Sequence, residues 1–102
     1  MVLQIYQSKL HLNDWAEFSR LMNYTFNNLV SVLESSYPDI KHAEIIWCCL
    51  HLLDVTLAER MIVLNVSANS LYKLKQRLAL KLQLKGAKML DEYLKQFNDK
   101  LI

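Results

Sequence analysis

Six cations and no acid lie between Met61 and Leu90: Lys73, Lys75, Arg77, Lys81, Lys85 and Lys88. Amines and guanidinium groups gathered without an acid should make one end of the domain attract anions, although a lysine-rich helix is most often a solvated face. Residues 1–60 hold four cations and seven acids (−3), whereas residues 61–102 hold eight cations and three acids (+5). The net charge of +2 therefore hides a polar molecule. A second cluster, Cys48, Cys49 and His51, has metal-ligand types. Adjacent cysteines on a helix project about 100° apart and cannot both face one ion with His51, so they are expected to be core thiols and no metal is expected. There is no glycine loop for phosphate, no nucleophile elbow and no paired acids of the kind general acid-base work needs. Neither an enzyme nor a cofactor is expected.

The elements that carry these residues are read as helices. One Gly, one Pro and 53% hydrophobic residues, with apolar positions spaced by three and four, predict an all-α domain of about five helices. Asn13 or Asp14 can cap a first long helix carrying Trp15, Phe18, Met22, Phe26, Leu29 and Leu33 and ending near Pro38, which biases Tyr37 away from helical angles. Residues 42–53 are apolar nearly all round and are expected at the centre of the core. Thr56 and Glu59 form a capping box that opens a short helix to about Leu64. Asn65 can take the left-handed conformation of a sharp turn, and Ser67 can cap the next helix.

That helix, read as residues 68–84, buries Leu71, Leu74, Leu78 and Leu82. It turns Asn69, Lys73 and Gln76 outward, with Tyr72 and Arg77 on the flanks. Gly86 is expected to end it or the linker after it. Leu90, Tyr93, Leu94 and Phe97 define a last helix before a fraying tail. Residues 1–12 read as a linker or helix extension and 13–102 as one domain, with a helix-turn-helix at 56–84.

The apolar run Ile45 to Leu50 is far short of the roughly 20 residues of a membrane span. The N-terminus lacks the features of a signal peptide, and the two neighbouring cysteines suit a reducing compartment. A cytoplasmic protein without membrane contact is expected.

From Trp15 to Phe97 the order of residues resembles a LuxR/GerE-type helix-turn-helix, as found at the C-terminus of bacterial regulators whose upstream part is a propeller or tetratricopeptide-repeat sensor. The resemblance rests on Trp15 and Phe18, the Tyr37-Pro38 corner, Glu44, Cys48, Thr56 with Glu59, the run Leu64 to Ser67, and Arg77-Leu78 followed by Lys81-Leu82. Lys41 stands where the family has a capping Thr, Arg60-Met61 where it has Ile-Ala, and Ala79 and Leu80 where bases are common. Met61 is expected to need a wider crossing of the two helices or a side chain bent aside.

The resemblance implies a transcription-regulating DNA-binding domain with double-stranded DNA as partner, a homodimer or an upstream sensor domain or protein partner being compatible with it. Lys73, Lys75, Arg77, Lys81, Lys85 and Lys88 would then meet phosphates, and Asn69, Tyr72, Lys73 and Gln76 are placed to reach base edges. The alternative is a helical protein-interaction or dimerisation module, to which the apolar Leu80, Tyr6 and Leu10 would contribute.

Overall fold

The computed structural model describes residues 14–98. The readings of residues 1–13, including Asn13 as a cap and Tyr6 and Leu10 as contact residues, and of the tail 99–102 lie outside the described residues. Six helices and no strand occur among them: α1 (Trp15–Thr25), α2 (Leu29–Ser36), α3 (His42–Leu52), α4 (Leu57–Leu64), α5 (Ala68–Lys81) and α6 (Lys88–Asn98).

The helix starts follow local chemistry. Asp14 accepts the Glu17 N–H at 3.2 Å. Thr56 Oγ1 accepts the Glu59 N–H at 3.2 Å while Glu59 Oε1 accepts the Thr56 N–H at 3.1 Å, which satisfies two end donors at once. Ser67 Oγ accepts the Ser70 N–H at 3.1 Å. At α3 the capping position is Lys41, which has no acceptor to offer. Half a box survives, because Glu44 Oε1 accepts the Lys41 N–H at 2.8 Å.

The ends of α3, α4 and α5 share one device. Asp54, Asn65 and Gln83 sit in the left-handed region at φ 61°, 56° and 60°. After each, the next N–H reaches back five residues: Val55 to Leu50 O (3.1 Å), Val66 to Met61 O (3.0 Å) and Leu84 to Ala79 O (2.9 Å). This is the Schellman pattern, with an apolar residue following the left-handed one and packing inward. The residue usually chosen for it is Gly; here Asp, Asn and Gln serve. Of the two readings of Gly86, the one that has it end the helix is corrected: α5 ends at Lys81 rather than Leu84 because Gln83 turns the chain, and Gly86, with no positive φ, lies near the end of the linker before α6.

The first long helix is also corrected. It is two helices, broken at Asn27 and Asn28, both left-handed at φ 54° and 64°. Asparagine tolerates that conformation better than other residues with a side chain, and Asn27 Nδ2 donates to the Phe97 carbonyl at 3.0 Å, tying the break to α6. Asn23 and Ser31 then join α1 to α2, by Asn23 Nδ2 to Ser31 Oγ and Ser31 N–H to Asn23 Oδ1, each 3.0 Å. The bend lets Met22, Phe26, Leu29, Val30 and Leu33 all reach the core.

Helix α3 is the centre of that core, as its all-round apolarity predicts. Ile45, Trp47, Cys48, Cys49 and Leu50 are buried, and α4, α5 and α6 pack against it. Leu71, Leu74, Leu78 and Leu82 from the α5 segment and Leu90, Leu94 and Phe97 from α6 complete it. Helix α4 buries no residue fully. Met61 stays half-buried at the margin of the core, so its flexible side chain is accommodated without entering the interior.

Candidate functional site

Helices α4 and α5 are joined by three residues, Asn65 to Ser67. The Leu71, Leu74 and Leu78 stripe faces inward, so Asn69, Tyr72, Lys73, Gln76 and Arg77 are exposed. Tyr72 is 59% exposed, and its hydroxyl accepts a 2.9 Å hydrogen bond from Gln76 Nε2. That bond, one turn apart on the helix, holds both side chains along a single strip. Leu80 lies in the same outward sector, 73% exposed. Lys85, in the linker, and Lys88, the first residue of α6, are exposed beyond the end of α5.

Lys81 departs from the others. Its ammonium donates to Glu44 Oε1 at 2.8 Å and to the Asp39 carbonyl at 3.0 Å. Lys81, expected among the phosphate contacts, has its charge matched within the protein, joining the end of α5 to the start of α3. Lys75 is also drawn inward. It is half-buried, with Nζ 5.8 Å from the centroid of the Trp47 ring.

Trp47 organises a group of side chains that sequence reasoning did not assemble. Arg60 of α4 lies over the same ring at 5.3 Å, and His51 stacks on it at 5.3 Å with the planes 8° apart. A cation over an indole face is attracted by the ring quadrupole. Arg60 Nε also donates to the Val55 carbonyl at 2.9 Å. Burial pushes the Arg60 pKa down, with Asp54 and Asp91 opposing it through space. His51 Nε2 lies 3.2 Å from Asp91 Oδ1; burial lowers the His51 pKa, Asp91 opposes, and Arg60 and Lys75 add to the lowering.

Between α4 and α5 these groups open onto a cleft of about 240 Å³ lined by Trp47, Leu57, Arg60, Ala68, Leu71, Tyr72 and Lys75.

Cys48 and Cys49 are buried free thiols, and burial raises both pKa values. Among the described residues no group of three or more His, Cys, Asp or Glu side chains is arranged to hold a metal ion. No described helix is long and apolar enough to cross a membrane. Comparison with known protein families, curated proteins and solved structures finds no match.

Proposed function

We propose that this domain is a cytoplasmic DNA-binding transcriptional regulator, or the output end of one, in which α4, the Asn65 to Ser67 turn and α5 act as a helix-turn-helix of LuxR/GerE type. Helix α5 lies in the major groove. Asn69, Tyr72, Lys73 and Gln76 reach base edges, while Lys73, Lys75, Arg77, Lys85 and Lys88 attract phosphates. The observation that carries the reading is the exposed strip of Asn69, Tyr72, Lys73 and Gln76 on α5, within an acid-free stretch of chain and directly after a short capped helix and a tight turn.

The test is a fluorescence-anisotropy titration of labelled duplex DNA at several salt concentrations. With about four phosphates neutralised, log K falls against log salt with a slope of about −3.6, and Lys73→Ala flattens that slope by about 0.9. Gln76→Ala or Asn69→Ala instead lowers discrimination between a preferred site and random duplex, since these side chains read bases without adding charge. No salt-dependent binding at about 50 mM salt overturns the reading. The second reading, a protein-interaction or dimerisation module, is favoured by one observation: the apolar Leu80, 73% exposed, stands in the outward sector of α5, where a DNA-facing surface has no need of it.

A further inference from the structure

We infer that Arg60 and Lys75 form a clamp for a single phosphate of the DNA backbone, at the place where α4 crosses the duplex; this rests on the major-groove reading of α5 above. The two cations come from different helices, lie over one ring, and open onto one cleft. Among the described residues neither takes part in a salt bridge. Asp54 and Asp91 act on Arg60 only through space, and neither forms a salt bridge with it.

Two cations that are partly withdrawn from water and lack a direct carboxylate partner have lost hydration without full compensation. An anion entering the cleft supplies it. The Trp47 face and the Val55 carbonyl fix the guanidinium in advance, so less side-chain entropy is lost when the anion binds.

The position points to DNA. In a helix-turn-helix the second helix enters the groove while the first crosses the backbone, and the cleft lies between these two helices. Tyr72 forms part of its wall and is bonded to Gln76, so the cleft is continuous with the base-reading strip. An acidic segment of a protein partner would also match the charge and could cover Leu57, which is 57% exposed. It would leave the continuity with α5 without a purpose.

The experiment measures salt slopes for the full chain and for Arg60→Gln, Lys75→Gln and the double variant, with Lys73→Gln as a reference and circular dichroism as a check on folding. Because Arg60 also holds the Val55 carbonyl, Arg60→Lys is included to restore charge without that bond. The clamp predicts that the double variant flattens the slope by about 0.9, the share of one phosphate, that the two single effects do not sum, and that Arg60→Lys keeps the parent slope. Flattening by about 1.8 would mean two separate phosphates and overturns the clamp. An unchanged slope in the double variant, with Lys73→Gln still flattening it, overturns the clamp and leaves the groove-reading of α5 intact; a partner other than DNA then occupies the cleft. If the parent chain shows no salt-dependent DNA binding, the reading of α5 itself fails and the clamp with it.

Discussion

Glu44 and Lys81, thirty-seven residues apart, meet at 2.8 Å beneath the surface, with Glu44 only 1% exposed. The carboxylate does two jobs with one oxygen: Oε1 accepts both the Lys41 N–H at the start of α3 and the ammonium at the end of α5. Its other oxygen, Oε2, is buried without a hydrogen-bond partner. The pair fixes where the far end of α5 sits relative to the core.

Removing one member leaves the other stranded. Lys81→Met is expected to destabilise the domain by about 3 kcal/mol, since a buried carboxylate loses the one cation it pairs with among the described residues. In a chain of this size that is a drop in Tm of roughly 12–24 °C. The double variant Glu44→Met with Lys81→Met should recover most of the loss, because two apolar groups replace two compensating charges. Thermal melts of the three variants check this. In DNA titrations of the folded protein, Lys81→Met should leave the salt slope at the parent value, in contrast to Lys73→Ala.

Ser67 caps α5 through its 3.1 Å bond from the Ser70 N–H. Ser67→Ala should lower stability by about 0.5–2 kcal/mol, read as a shift in the urea midpoint at constant m-value. A midpoint equal to the parent's would mean that the cap contributes nothing to the start of α5.

Cys48 and Cys49 are each 0% exposed, and burial raises both thiol pKa values, with Glu44 adding to the shift at Cys48 and Cys48 to that at Cys49. Only the thiolate attacks a disulfide reagent. Native protein at pH 8 should therefore label slowly at both sites and rapidly in guanidinium. Fast labelling of the native chain would contradict their burial.

His51 gives the domain a pH dependence of definite sign. Burial holds its folded-state pKa below the unfolded value of about 6.5. Between those two values the unfolded chain binds more protons, so stability rises with pH there. The contribution is fully present above about pH 6.5 and is lost as pH falls through the lowered folded value. Tm should decline on acidification below about 6.5, and His51→Gln should reduce the decline. Thermal melts from pH 7.5 to 5 compare the two chains; equal declines would show that His51 does not carry the effect.

What the sequence by itself determined was whatever acts within one turn of chain. The Thr56 and Glu59 box, the Asn65 turn, the Ser67 cap, the Leu71 to Leu82 stripe and the apolar centre at residues 42–53 are all local signals, and each stands where its spacing puts it. The break at Asn27 and Asn28 was not legible, because the apolar spacing continues across it and the bonds that hold the bend, Asn27 to Phe97 and Asn23 to Ser31, form only once the helices pack. The end of α5 was misplaced for a related reason: an unbranched residue such as Gln can be held in the left-handed position by its surroundings, and Gln83 carries no mark of it until Leu84 packs inward. At the candidate site, the exposure of Asn69, Tyr72, Lys73 and Gln76 follows from helical periodicity alone. Only the tertiary structure decided which cations stay available. Lys81 looks like its neighbours in the chain until Glu44 arrives from α3, and Arg60 and Lys75 look unrelated until Trp47 brings them to one ring. A charge's partner is set by packing at distances of a few ångströms, and sequence spacing does not encode those distances once the contact joins different helices.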